Sequence, residues 1–280
     1  MPPAMQVACD ASVGPKLMSE QMRESFVDRF ASVSGDYAAF RPTYPHALID
    51  WLASIASERS LAWDCATGSG QAAVDLAARF ERVIATDASA DQIAKAASHP
   101  RIEYRVAPAE ESGIATGSVD LITVAQALHW FDVDRFFLEC ERVLKPGGVL
   151  AVWTYGPLHV QGESVDAIVQ RFYHDIAGPY WPVERALVDS GYQSIKLPYP
   201  ELEVPAFEMT AFWSLKALLG YLGTWSSTTA YRETTGEDPR DLIGESLAQA
   251  WGDTTATRQV VWPLVVRAGR KGSVQQGVRP

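Results

Sequence analysis

The sequence predicts an α/β protein built on a doubly wound, largely parallel sheet. Three observations carry that reading. Short apolar runs at 61–65, 82–87, 101–106, 119–125 and 149–153 alternate with helical patterns, the order expected of parallel strands joined by right-handed crossovers. The fourth run, Val119–Ala125, is nearly all apolar, as suits a strand covered on both faces. The first run opens directly onto a loop of small residues and then an Ala-rich segment, Leu61-Ala-Trp-Asp-Cys-Ala-Thr-Gly-Ser-Gly-Gln. That is strand, tight turn, helix.

This first unit also points to a ligand. Gly68 and Gly70 permit positive φ and a close approach to the backbone. The next apolar run ends in Asp87, nineteen residues after Gly68, where a carboxylate can accept both hydroxyls of a ribose. Gly68, Gly70 and Ala73 satisfy the G-x-G-x-x-G/A pattern, so at this point a nicotinamide dinucleotide and other adenosine cofactors both remain open.

Composition narrows the partners. A net charge of −10 argues against a nucleic-acid or anionic-membrane surface, since either requires a basic patch. Three widely spaced cysteines, Cys9, Cys65 and Cys140, read as reduced thiols of a cytoplasmic protein. The sequence has no 18-residue apolar run and no Lys/Arg-led signal, so neither membrane insertion nor export is expected. Nine tryptophans suggest an aromatic-lined pocket in addition to core packing.

The elements follow in order. Residues 1–25 read as a flexible extension. Phe26, Phe30, Tyr37 and Phe40 then lead into Arg41-Pro-Thr-Tyr-Pro, an extended connector that is either a lid over the ligand loop or a clip along the sheet edge. A helix follows over 46–57. Ser89 and Gln92 form a capping box for the helix after Asp87. Arg101–Val106 alternates as the third strand and leads to a loop carrying Glu110; the fourth strand ends in Gln126-Ala-Leu-His-Trp-Phe. A helix through Val143 and the turn Lys145-Pro-Gly-Gly precede the fifth strand. Residues 26–156 thus form a cofactor-binding core with its N-terminal lid. Residues 157–200 break the rhythm with helices near 164–176 and 183–190 and read as a helical cap insertion. Residues 201–268 return to the sheet with strands at 207–214 and 258–268, a helix at 215–222, a loop from Gly223 and a helix at 241–251; 269–280 reads as a flexible tail.

Taken together, Asp64-Cys-Ala-Thr-Gly-Ser-Gly, Asp87, Ala109-Glu110, Ala125-Gln-Ala-Leu-His-Trp-Phe and Leu144-Lys-Pro-Gly-Gly resemble the ordered motifs of class I S-adenosylmethionine-dependent methyltransferases. Tyr37-Ala-Ala-Phe-Arg-Pro-Thr-Tyr-Pro and Thr224-Trp-Ser resemble the branch of trans-aconitate methyltransferase-like small-molecule enzymes. The resemblance spans about residues 26–268 and implies a Rossmann-like seven-stranded sheet whose last strand is antiparallel. It departs at Ala66, where the family usually has glycine; alanine fits there if its φ is negative.

The resemblance also implies roles. S-adenosylmethionine would lie along Tyr37, Ala66, Thr67, Gly68, Gly70 and Ala88. Asp64 would hold its ammonium, Asp87 its ribose, and Ala109 and Glu110 its adenine, with Gln126 facing the sulfonium. Trp130, Tyr155, Trp181 and Trp225 are the candidate substrate contacts. A sulfonium already activates its methyl, so transfer needs alignment and water exclusion. A carboxylate acceptor needs no base, only arginines to hold it, with Arg41 and Arg185 the candidates. A hydroxyl, amine or carbon acid would need a base, and His129 is the candidate. No set of residues has metal-ligand spacing, and no metal is expected. Two other classes stand beside this one: an NAD-dependent oxidoreductase and a binding module that keeps only the fold. The acceptor and the oligomeric state are not readable.

Overall fold

The computed structural model describes residues 42–273. After helix α1 (His46–Ile55), the strands β1 (Leu61–Cys65), β2 (Arg82–Asp87), β3 (Ile102–Val106), β4 (Val119–Ala125) and β5 (Leu144–Tyr155) are separated by α2 (Gln71–Ala77), α3 (Ala90–Ala94) and α4 (Val133–Val143). They pair in parallel in the order β3-β2-β1-β4-β5. The chain therefore leaves β1 toward β2 and β3 and returns on its other side to β4. In open α/β sheets ligands bind at such a reversal, here beyond the carboxyl ends of β1 and β4.

Both faces of the sheet are covered because successive side chains of a strand point to opposite sides. Ala62 packs with α1 and α2 through Leu48, Leu52 and Leu76. Its neighbour Trp63 packs with α4 through Phe136 and Cys140. Asp132 caps α4 by accepting the Arg135 N–H at 3.3 Å, and Ser89 caps α3 by accepting from Gln92, as the capping pattern predicts.

Beyond β5 the chain forms β6 (His159–Val160), α5 (Glu163–Arg171), a π-turn at Phe172–Ile176, a 3-10 turn at Gly178–Tyr180 and α6 (Arg185–Asp189). It then returns as β7 (Phe207–Trp213), α7 (Leu215–Gly223), α8 (Ser226–Thr235), α9 (Asp241–Trp251) and β8 (Arg258–Arg270). β8 lies antiparallel between β5 and β7. Val261 faces His159 on one side and Thr210 on the other, so β6 prolongs the edge made by β5. Counted that way, this is the seven-stranded sheet with one antiparallel strand that the motifs imply.

Three expectations are corrected. The stretch after Gly223 is a helix, α8, rather than a loop. Its Ser/Thr-rich sequence is a poor helix former, and the aromatic contacts of Trp225 and of Tyr231 with the cap hold it in place. Gly269 and Arg270 belong to β8, not to a tail, because they pair with Leu150 and Val149. Lys145-Pro-Gly-Gly lies within β5, where the register with β4 shifts between Val119 and Leu121.

Candidate active site

The loop after β1 has three left-handed residues, Ala66 (φ 55°), Gly68 (φ 57°) and Gly70 (φ 88°). Ala66 therefore does not take the negative φ expected of it and bears a strain that glycine would avoid. At Gly70 both space and conformation require glycine. A Cβ there would meet the Tyr104 hydroxyl at 2.5 Å and its ring at 3.0 Å.

The two acidic residues expected beside this loop are both drawn into it. Asp87 accepts the Gly68 N–H and the Ser89 N–H, each at 2.8 Å, on different oxygens. Its carboxylate so pins the turn while keeping further lone pairs for a ligand; burial raises its pKa against those two bonds. Ala88 continues from it into the Ser89 cap. Asp64 is 1% exposed at the end of β1. It accepts the Thr67 hydroxyl at 2.5 Å and the Thr123 hydroxyl at 2.8 Å, and no cation pairs with it among the described residues. Burial raises its pKa to about 6, against the hydroxyls and the Ala73 N–H that favour the charged form. Ala109 is buried, and Glu110 accepts the Asp132 N–H at 2.9 Å, tying the loop after β3 to the start of α4.

The end of β4 is strained as well. Gln126 has φ 56°, a conformation that a non-glycine residue keeps only when its surroundings determine it. Its Oε1 accepts the Thr154 hydroxyl at 2.6 Å and the Tyr155 N–H at 2.9 Å, while Nε2 donates to the Tyr155 carbonyl at 3.3 Å. The side chain expected on the sulfonium side thus turns toward the end of β5, and Tyr155 is buried there.

His129 and Arg185 are brought together by the cap. Tyr192, at φ 60°, places its hydroxyl 2.9 Å from His129 Nδ1. The imidazole lies 4.7 Å from the Trp130 ring. Burial first, and the Arg185 charge second, lower the His129 pKa to about 3, so the ring is neutral throughout the physiological range. Arg185 donates through Nε to the Tyr173 hydroxyl at 2.8 Å and to Asp189 at 3.0 Å, and Tyr173 donates to Asp189 at 2.6 Å. Its guanidinium lies over Trp181 at 4.5 Å, and Trp181 and Trp225 are 5.5 Å apart. The two terminal nitrogens of Arg185 have no hydrogen-bond partner among the described residues. Tyr37 and Arg41, and most of the suggested lid, lie outside the described residues. Sequence reasoning missed Tyr104, Thr123, Tyr173, Asp189 and Tyr192. Only the i,i+4 spacing of Arg185 and Asp189 was a usable signal; the others act across long sequence separations.

Comparison with known proteins meets this geometry. The model of a methyltransferase-domain family matches residues 63–152, from β1 through β5. A Dictyostelium discoideum protein described as a methyltransferase is 35% identical over 239 residues, covering 84% of this chain and 91% of its own length. The chain belongs to the class I S-adenosylmethionine-dependent methyltransferases. A solved structure from Anaeromyxobacter dehalogenans, described as a type II methyltransferase, is 49% identical with a TM-score of 0.80, covering 84% of this chain and 99% of that one. A Saccharomyces cerevisiae protein described as an S-adenosylmethionine-dependent methyltransferase is 30% identical over 143 residues, 48% of this chain and 47% of that one. The nicotinamide alternative is thereby set aside. The residues present suit the methyltransferase cofactor: a carboxylate beside the loop for the ribose, a glycine loop for close backbone approach, and a buried carboxylate without a counter-charge for an ammonium group.

Proposed function

We propose that this methyltransferase forms methyl esters of small carboxylic acids, in line with its resemblance to the trans-aconitate methyltransferase-like branch. The observation that carries the reading is Arg185. Nε is locked by Tyr173 and Asp189, the cation rests on Trp181, and the terminal nitrogens point to no described acceptor. The buried Trp181 Nε1 also lacks a partner among the described residues. A guanidinium presented this way, with a second free donor beside it, suits a carboxylate. The net charge of −10 favours neither nucleic acid nor a membrane as partner. No helix among the described residues is long and apolar enough to cross a membrane, and the buried, unpaired Cys65 and Cys140 fit a reducing cytoplasm.

When bound, the cofactor supplies a methyl carbon already activated by its sulfonium. In the proposed mechanism Asp87, Gly68 and Gly70 orient the ribose and methionine parts, Asp64 takes the ammonium, and Ala109 and Glu110 border the adenine. Arg185 turns the acid toward the methyl, with Arg41 its candidate helper, while Trp130, Tyr155, Trp181 and Trp225 wall the space and keep water out. An ionised carboxylate attacks without losing a proton. His129, neutral and tethered to Tyr192, orients and does not titrate.

The test is a methyl-transfer screen of small carboxylic acids and their amides, followed by a pH–rate profile on an acid that is methylated. The rate is expected to be flat from about pH 6 to 9, since the acceptor is ionised throughout. Arg185→Gln should lose about 100-fold in kcat/KM, and His129→Gln less than about threefold. Methylation of amides in preference to acids, or a sigmoid profile that vanishes in His129→Gln, would replace this reading with base-assisted methylation of a hydroxyl, amine or carbon acid.

A further inference from the structure

Tyr104 belongs to none of the roles above, yet it occupies a decisive place. It lies in the middle of β3 opposite Ala85 and reaches to the far end of the glycine loop. Its hydroxyl fills the position that a side chain on residue 70 would need, 2.5 Å from an ideal Cβ. The oxygen is buried and makes no hydrogen bond among the described residues. A phenol shut away from water without a partner is disfavoured, and phenylalanine would pack the same space without that cost. Burial and the nearby Asp64 charge both raise the Tyr104 pKa, so the group is a neutral donor.

We propose that the Tyr104 hydroxyl is a positioning donor for the methionine carboxylate of the cofactor, its missing partner being supplied on binding. The inference rests on the reading that the Gly68–Gly70 loop passes the methionine part. That part carries one strong acceptor, its carboxylate, and, besides the sulfonium, one cation that can donate hydrogen bonds, its ammonium. Asp64 suits the cation and repels the anion, while Tyr104 offers an O–H donor above Gly70. The two residues thus divide the zwitterion between them and fix the direction in which the methionine chain runs past the loop.

The experiment is calorimetry and thermal melting of the full chain and its Tyr104→Phe variant. The two probes are S-adenosylhomocysteine and its decarboxylated analogue, which keeps the ammonium. Tyr104→Phe is expected to weaken S-adenosylhomocysteine binding about tenfold or more and to change binding of the decarboxylated analogue by less than about twofold. Without ligand its melting midpoint should rise by about 2–4 °C, because an unpaired buried hydroxyl is gone. A purely structural role would lower the midpoint and weaken both ligands equally, and either result overturns the proposal. Unchanged affinity for S-adenosylhomocysteine overturns it too. If the unaltered chain binds neither compound, the loop reading itself fails, a separate and distinguishable outcome.

Discussion

Two buried aspartates sit at opposite ends of the same sheet, and their surroundings differ in one respect. Asp120, at the start of β4, is fully buried. It accepts the Ser60 and Leu61 N–H groups at 3.0 and 2.9 Å and pairs with Lys145 at 2.6 Å. It clamps the starts of β1, β4 and β5 with its charge answered inside the chain. Asp64, at the end of β1, is just as buried but has hydroxyl partners and no described cation. Burial, with the Asp87 charge adding to it, raises its pKa, and no described cation offsets the two. At the amino ends the buried charge is thus answered within the chain. Among the described residues at the carboxyl ends, a carboxylate lacks a cation and, on the cap, Arg185 has terminal nitrogens without an anion. Charge left unanswered at one end of a fold marks where charged ligands belong, which suits a cationic cofactor and the acidic acceptor proposed above.

The largest effects should come from the aspartates themselves. Lys145→Met leaves Asp120 buried without its cation, and urea unfolding should show a loss of about 3 kcal/mol with S-adenosylhomocysteine affinity unchanged. Asp64→Asn should do the reverse. In the folded chain Asp64 holds its proton up to about pH 6 against an ordinary value of 3.8. Its contribution to stability is therefore complete below pH 4 and lost as pH rises through 6. At pH 8 Asp64→Asn should gain up to about 3 kcal/mol and bind the cofactor at least about tenfold more weakly. Loss of stability in Asp64→Asn would erase the contrast between the two ends. Asp87→Ala should weaken cofactor binding by about 1.5–3 kcal/mol, since the ribose hydroxyls and the Gly68 N–H lose their acceptor together. The smallest effect is at Ala66. Ala66→Gly should stabilise the chain by about 1 kcal/mol in thermal unfolding, because its left-handed φ then costs nothing.

Much of this organisation can be read along the chain. The alternation of apolar runs with helical stretches, the glycines after β1 and the placing of Asp87 are local patterns, and each corresponds to the element expected. What could not be read is set by contacts across long separations. The left-handed φ of Ala66 depends on how the loop crosses the sheet, not on alanine's own preference. The Ser/Thr-rich α8 is held by rings from the cap. Alternation identifies β3 but cannot tell that the Tyr104 hydroxyl ends above Gly70. The lock on Arg185 needs Tyr173 from a π-turn twelve residues earlier. Gln126 joined the list by its place at the end of β4, yet its side-chain direction is decided by Thr154 and Tyr155 on the neighbouring strand.

The claim that the carboxyl ends await a cation is tested most directly by the pH dependence of S-adenosylhomocysteine affinity between pH 5 and 8. The ligand's ammonium stays charged over that range, so a change must come from the protein. In the unaltered chain affinity should be level above about pH 6.5 and fall below 6, by up to about tenfold per pH unit, as Asp64 takes up its proton and can no longer pair. In Asp64→Asn the affinity should be weaker and the fall below pH 6 absent. Constant affinity from pH 5 to 8 in the unaltered chain, or the same fall in Asp64→Asn, would contradict the account.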